Sequence, residues 1–234
     1  MSESPEKEFI APHCASCPFK KNERLCNNPG GKHPPNCPTA LHAELTSKSR
    51  AEFAEPETRK FAQAVARTER ESYDLRGPGG NVPIRPRLVE IVDLCKRMNY
   101  KRIGLIFCIG LAREAATVAK IFESQGLEVI SAICKTGGVS KSELDLEERA
   151  LLCPENPETM CNPIMQAMLM NEAHVDFNVL LGLCVGHDSL VLKRLDAPTT
   201  VLAVKDRMLG HNPLAAIYCA DGYFKYMEKP IEVE

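Results

Sequence analysis

The chain has 234 residues, of which 44% are hydrophobic and 26% are charged. This composition is typical of a folded globular protein and excludes intrinsic disorder. Lysine and arginine number 29 against 31 acidic residues, a net charge of -2, so no basic surface for nucleic acid or anionic lipid is expected. The apolar runs have the length of strands, so no segment is expected to span a membrane.

Residues 1–13 are polar and contain three glutamates, which predicts a protein without a secretory signal peptide and therefore a cytoplasmic one. The chain contains eleven cysteines. Disulfides are not expected in a reducing compartment, and an odd number of cysteines cannot pair completely. The cysteines therefore indicate metal ligation or thiol chemistry.

Four cysteines lie close together near the N-terminus: Cys14, Cys17, Cys26 and Cys37. The segment around them contains few other apolar residues and several prolines and glycines, so it cannot bury a core of its own. Four thiolates with a CxxC opening suit either a tetrahedral zinc ion or an iron–sulfur cluster, and metal binding would supply the missing folding free energy. Residues 1–40 are therefore predicted to form a small four-cysteine metal knuckle.

Residues 41–85 are predicted to be a helical connector. Pro56 suits the first turn of a helix, and the apolar residues that follow it recur at helical spacing. A glycine- and proline-rich break at residues 77–80 ends this segment.

Strands and helices alternate in residues 86–234. After a helix at 86–98, buried strands are predicted at 103–107, 129–133, 179–183 and 200–204, with helices at 111–124, 142–152, 163–172 and 188–195. This alternation predicts an α/β domain with a mainly parallel, doubly wound (Rossmann-like) sheet that carries helices on both faces.

Cysteines stand directly after three of the four predicted strands, at Cys108, Cys134 and Cys184. The carboxyl ends of parallel strands line the crevice where ligands bind in such sheets, so these thiols should converge. Cys161, at a predicted helix start, is a natural fourth thiolate. Glycines beside these cysteines would let backbone N–H groups turn toward a bound anion or cluster: Gly110, Gly137, Gly138 and Gly186.

Three chemical interpretations of this crevice remain open beside the simplest one, in which the cysteines are small apolar residues. The four thiolates could hold a 4Fe–4S cluster. They could act without metal, with Cys184 as a thiolate nucleophile near His187. They could instead bind zinc, with His187 as a further ligand. The remaining cysteines, Cys95, Cys153 and Cys219, are interpreted mainly as small apolar residues.

Polar residues near the crevice each have two interpretations. Asp188 either orients His187 or caps a helix. Lys205 and Arg207, which follow the fourth strand, either bind an anionic substrate or neutralise carboxylates. Cys184, His187, Asp188 and Lys205 are the catalytic candidates.

Three motifs resemble a known family. They are Cys161-Asn162-Pro163-Ile164 with Gln166-Ala167, Gly182-Leu183-Cys184-Val185-Gly186-His187-Asp188-Ser189, and Val204-Lys205-Asp206-Arg207 followed by Gly210-His211-Asn212-Pro213. The chain is similar here to domain-of-unknown-function family 1847, uncharacterised cysteine-rich and metal-binding proteins of anaerobic bacteria and archaea. The resemblance implies no particular reaction, and an anaerobic setting favours iron–sulfur over zinc.

The sequence thus predicts a cytoplasmic metal-binding protein with iron–sulfur or zinc centres. Its crevice would perform redox or sulfur-related chemistry on a small-molecule substrate or a redox partner protein, as an iron–sulfur or thiol-dependent oxidoreductase. The alternatives are a non-catalytic metal- or ligand-binding protein with structural zinc, and a metal-free Cys/His thiol enzyme.

Overall fold

The computed structural model describes residues 9–76 and 80–232. The chain divides into two compact units, residues 1–66 and 67–234. The predicted metal knuckle lies within the first unit, the predicted α/β segment lies within the second, and the predicted connector contributes to both. The predicted chain break at 77–80 falls outside the described residues except for Gly80.

The first unit has little hydrophobic core. It contains a 3-10 turn at Cys14–Ser16, a β-bridge between Arg24 and Lys32, and helices α1 (Pro38–Leu41) and α2 (Ala43–Glu52). Between residues 9 and 60, Cys37 is the one buried residue. As the sequence predicts, this segment cannot be held together by apolar burial alone.

The predicted helical connector is interrupted. Helix α3 (Pro56–Glu71) begins at its proline, which suits a first turn because that position needs no N–H donor. After α3, the short strands β1 (Tyr73–Asp74) and β2 (Val82–Pro83) pair antiparallel. The strand β1 therefore replaces the end of the helix predicted up to residue 75, and β2 follows the predicted break.

Strands and helices alternate through the rest of the second unit, as predicted. The elements are α4 (Arg87–Met98), β3 (Arg102–Phe107), α5 (Ala112–Ser124), β4 (Glu128–Ile133), α6 (Pro163–Glu172), β5 (Phe177–Leu183), α7 (His187–Leu192), β6 (Thr199–Val204) and α8 (Leu214–Tyr218). All four predicted strands are confirmed. Within the described residues, no helix has the length and apolar character needed to cross a bilayer.

The four long strands form one parallel sheet in the order β4-β3-β5-β6. All seven residues of β5 are buried, which explains its uninterrupted apolar sequence. Phe107 at the end of β3 is in register with Ile133 of β4 and Leu181 of β5. The carboxyl ends of the strands are therefore nearly level, and a mixed α/β architecture with a parallel sheet is confirmed.

The predicted helix at 142–152 is wrong. Two separate 3-10 turns, Lys141–Leu144 and Glu148–Ala150, occupy this stretch. Asp145 has a left-handed backbone (φ 49°), which ends the first turn. The Glu158 carboxylate then accepts the Leu152 N–H at 2.9 Å and pairs with the Lys141 ammonium at 3.0 Å, so the segment folds back on itself.

Candidate functional site

The residues that follow the four parallel strands lie along one edge of the sheet. In spatial order they are Cys134 after β4, Cys108 after β3, Cys184 after β5 and Lys205 after β6. We use the name thiol crevice for the site formed by Cys108, Cys134, Cys161 and Cys184 together with Lys205 and Arg207. Of these thiols, Cys108, Cys134 and Cys161 are joined by contacts, and Cys184 lies beside them.

Cys108 and Cys134 form the buried floor of the thiol crevice, with 7% and 3% of their surface exposed. Their thiols are joined by a hydrogen bond. A 3-10 turn, Ile109–Leu111, begins directly after Cys108. Within it, the Ile109 N–H donates to Cys134 Sγ at 3.3 Å and the Gly110 N–H donates to the Cys108 sulfur. Two backbone donors therefore stabilise negative charge on the two sulfurs.

Cys161 reaches the crevice from the start of α6. The N–H of Asn162 donates to the Cys134 carbonyl at 2.7 Å, and the Asn162 side chain caps α6 by accepting the Met165 N–H at 3.0 Å. Cys161 is thereby held next to Cys134, and their thiols also share a hydrogen bond. Three of the four crevice thiols form a continuous contact.

Cys184 is held by a cation. The Arg207 guanidinium donates from Nη2 to Cys184 Sγ at 3.0 Å. Cys184 lies close enough to Cys108 and Cys161 for their charges to act on it. The second cation of the crevice, the Lys205 ammonium, donates to the Cys108 sulfur.

The predicted glycines have different surroundings. Among the four predicted glycines, only Gly110 donates its N–H to a sulfur, that of Cys108. A Cβ at Gly110 would lie 2.9 Å from Lys205 Nζ. The Gly186 N–H donates to the Asp188 carboxylate at 3.0 Å, and the Gly138 N–H donates to the Lys135 carbonyl at 3.2 Å. Gly137 has φ 90°, a backbone conformation that favours glycine, and a Cβ there would lie 2.8 Å from the Met165 sulfur.

His187 and Asp188 lie at the start of α7, beside Cys184. The Asp188 carboxylate lies in the first turn of α7 and accepts the N–H groups of the N-cap residue Gly186 and of Ser189. Burial lowers the pKa of His187, and the positive charges of Lys135 and Arg207 lower it further. The negative charge of Asp188 acts in the opposite direction but does not reverse the shift. Burial also raises the pKa of the Cys184 thiol, although Arg207 opposes the shift. These directions favour a neutral imidazole beside a protonated thiol.

Cys108 is the crevice thiol whose ionised form is favoured. Burial disfavours its thiolate, but the Gly110 N–H, the Lys205 ammonium and the Cys134 thiol outweigh burial and hold the pKa of Cys108 below its ordinary value. Burial raises the pKa of Cys134 to about 12. Ionisation is therefore favoured at Cys108 and disfavoured at Cys134. A low-pKa thiolate beside a thiol donor is an arrangement suited to nucleophilic attack and to metal ligation.

We expect this difference to be visible in alkylation. In metal-stripped, reduced protein, the pH midpoint for iodoacetamide modification should be lower at Cys108 than at Cys134 and Cys184, because the thiolate is the reactive form. Replacing Lys205 by Met should move the Cys108 midpoint to higher pH. Peptide mapping by mass spectrometry across the pH range measures both midpoints, with the exposed Cys219 as an internal reference. An unchanged Cys108 midpoint in Lys205→Met would contradict the assigned role of Lys205.

Gln166 is a structural element of the site that sequence reasoning did not assign. Its side chain is fully buried, and its Nε2 donates to the carbonyls of Phe107 (3.1 Å) and Ala132 (2.8 Å). It therefore bridges β3 and β4 just before their cysteines and fixes the spacing of Cys108 and Cys134. Its place in the sequence carried no signal for this role, because the bridge exists only once the strands are paired.

The remaining cysteines lie outside the crevice. Cys95 is fully buried, as predicted, and burial raises its pKa to about 12. Cys153 and Cys219 are exposed.

The four N-terminal cysteines line one small cavity of about 50 Å3 in the first unit. The Cys17 N–H donates to the Cys14 carbonyl at 3.3 Å and closes the first turn, and the Cys37 N–H donates to the Pro34 carbonyl just before α1 begins. His13 also lines the cavity. Across residues 9–76 and 80–232, however, no group of three or more histidine, cysteine, aspartate or glutamate side chains is placed to hold a metal ion.

Comparisons with known proteins identify relatives. The family model described as "Protein of unknown function (DUF1847)" matches residues 37–202, a range that contains all four crevice cysteines. An uncharacterized protein of Methanocaldococcus jannaschii is 39% identical over 205 residues, which cover 88% of this chain and 93% of that protein. These matches confirm the resemblance found in the sequence motifs. The chain belongs to the family of unknown function DUF1847.

Proposed function

We propose that this chain is a cysteine-rich metal-binding protein with two thiolate centres, acting in the cytoplasm. The thiol crevice would hold a 4Fe–4S cluster and perform redox or sulfur-related chemistry on a small molecule or a partner protein. The N-terminal cysteines would hold a second metal. The observation that carries the proposal is the continuous contact of Cys108, Cys134 and Cys161 at the ends of parallel strands, beside Cys184.

The surroundings of the crevice sulfurs support thiolate ligation. Metal binding requires deprotonated thiols, and the N–H groups of Ile109 and Gly110 already donate to two of the sulfurs. Hydrogen bonds of this kind stabilise iron–sulfur clusters and adjust their potentials. Lys205 and Arg207 add positive charge at Cys108 and Cys184. A cluster, when bound, would supply electron transfer or a thiophilic site for substrate.

The N-terminal donor set favours zinc. Cys14, Cys17, Cys26 and Cys37 line one cavity of about 50 Å3. Structural zinc sites have four ligands and no open position, and Cys14, Cys17, Cys26 and Cys37 supply that number.

Both centres would require side-chain movement on binding. The described side chains do not converge on one point in either set. Because a cysteine side chain turns about a single bond, its thiol can change direction by changing rotamer.

A second candidate function is a metal-free thiol enzyme. The contact between Cys108 and Cys134, with the pKa of one lowered and that of the other raised, favours it. Cys108 would be the nucleophile in this case, and Cys184 would not. His187 stays a candidate base.

We also propose a doubly wound, Rossmann-like arrangement with helices on both faces of the sheet. The parallel order β4-β3-β5-β6 supports it. The thiol crevice would then occupy the usual ligand position at the carboxyl edge of such a sheet.

The test is to quantify iron, zinc and acid-labile sulfide in protein purified without oxygen. We expect about four irons with matching sulfide and one zinc. Cys134→Ala should lose the iron and sulfide but keep the zinc, whereas Cys95→Ala, which removes a buried cysteine outside the crevice, should keep all three. If the protein contains zinc but no iron or sulfide, and all four crevice cysteines react with a thiol reagent, the cluster proposal is overturned. That result would favour the thiol enzyme.

A further inference from the structure

We propose that the thiol crevice binds the oxyanion group of a small-molecule substrate between the Lys205 ammonium and the Arg207 guanidinium. The group would be a carboxylate, a phosphate or a sulfur oxyanion. The inference rests on the proposed function, because it names the substrate class of the same site.

Neither cation is neutralised by a carboxylate. In the part of the chain that the structure describes, no aspartate or glutamate oxygen lies within 4.0 Å of Lys205 Nζ or of the Arg207 guanidinium. Lys205 and Arg207 instead donate to the sulfurs of Cys108 and Cys184. The structure thus favours anion binding by Lys205 and Arg207 over the neutralisation of carboxylates.

The carboxylates nearest in sequence are turned toward the backbone. The Asp206 carboxylate accepts the N–H groups of Met208 at 3.0 Å and Leu209 at 2.7 Å. The Asp188 carboxylate likewise accepts two N–H groups of its own turn. Both are held by local turns, and the charges that act on the Cys184 thiol come from Arg207, Lys205 and the neighbouring thiols.

The two cations lie at different depths. Lys205 is half-buried and reaches the buried Cys108, whereas Arg207 is exposed and reaches the half-buried Cys184. A guanidinium has five N–H donors in a planar fork that matches an oxyanion, and the hydrogen bond recorded for Arg207 uses only Nη2. An oxyanion bound by the fork would place the rest of a small substrate over the thiols.

A third cation lies at this edge of the sheet. The charge of Lys135 acts on His187 together with that of Arg207, so it adds to the attraction for an anionic group.

The experiment follows the melting temperature while sulfate, phosphate or acetate replaces chloride at constant ionic strength. Wild-type protein should show a saturable rise for at least one of these anions, because a ligand that binds only the folded state stabilises it. Arg207→Gln and Lys205→Gln should each raise the anion concentration needed for half-saturation about tenfold or more, because each removes a charge-assisted hydrogen bond. Lys120→Gln, on the exposed side of α5, should match the wild type.

Metal content measured on the same samples separates this inference from the proposed function. A saturable rise that both crevice variants lose, and Lys120→Gln keeps, supports the anion site whether or not iron is present. A wild-type protein that keeps its metal but shows no saturable rise would overturn the anion site alone. Equal responses in wild type and Arg207→Gln would also overturn it, because the rise would then be a general salt effect.

Discussion

Replacing Gly182 by alanine is expected to lower the melting temperature of the second unit by about 5–15 °C. Gly182 has φ 65° near the end of β5, where the β5–β6 pairing is irregular and Gly182 is an extra residue. An added Cβ would overlap the Leu111 side chain. Left-handed backbone costs a residue with a Cβ about 1–2 kcal/mol, and overpacking adds about 1–3 kcal/mol.

Gly126→Ala is the matched control. Gly126 also has a positive φ, 80°, but an added Cβ would meet no atom within 4 Å. It should lower the melting temperature by only about 2–4 °C, through backbone strain alone. Thermal unfolding followed by circular dichroism measures both variants. If both variants lower the melting temperature equally, the overlap between the added Cβ and Leu111 contributes nothing to the destabilisation of Gly182→Ala.

The bulge at Gly182 has a consequence for the site. It comes two residues before Cys184, so it sets the direction in which the chain leaves β5 toward that cysteine. Gly182→Ala protein that still folds should also lose the hydrogen bond between Arg207 and Cys184, because this bond depends on where the strand ends.

The strands could be predicted from sequence because each is an unbroken apolar run. A strand buried on both faces, such as β5, has few alternatives. Convergence of the strand-end thiols followed from the same reasoning, since parallel strands end at one edge. The segment at 142–152 was mispredicted because its residues suit a helix locally, while the tertiary contacts of Glu158 fold it back.

Which thiol ionises most easily could not be read from sequence. Because His187 stands three residues after Cys184, the sequence indicated Cys184 as the ionised thiol. Lys205, which acts on Cys108, is distant from Cys108 along the chain. The order β4-β3-β5-β6 brings the Lys205 side chain to Cys108, and sequence alone does not give that order. The irregular register between β5 and β6, and the close approach of Leu111 to Gly182, likewise could not be predicted from sequence.

Removal of metal from the N-terminal cysteines is expected to unfold the first unit locally. Cys37 is the one buried residue between positions 9 and 60, and none of the residues of α2 is buried. Apolar burial therefore cannot hold this segment, whereas a structural zinc ion supplies on the order of 10 kcal/mol in small zinc-dependent folds. Hydrogen exchange of residues 9–41 should become fast in Cys17→Ser protein, and after chelation in the wild type.

The second unit supplies the control for this experiment. Its sheet contains the fully buried β5 and a continuous apolar core, so exchange in β3 and β5 should stay slow in Cys17→Ser. Cys219→Ser removes an exposed thiol outside both sites and should leave the exchange of residues 9–41 unchanged. Slow exchange at residues 9–41 in metal-free protein would show that the hydrogen-bonded turns around Cys14 and Cys37 fold without metal, and the zinc assignment would then be wrong.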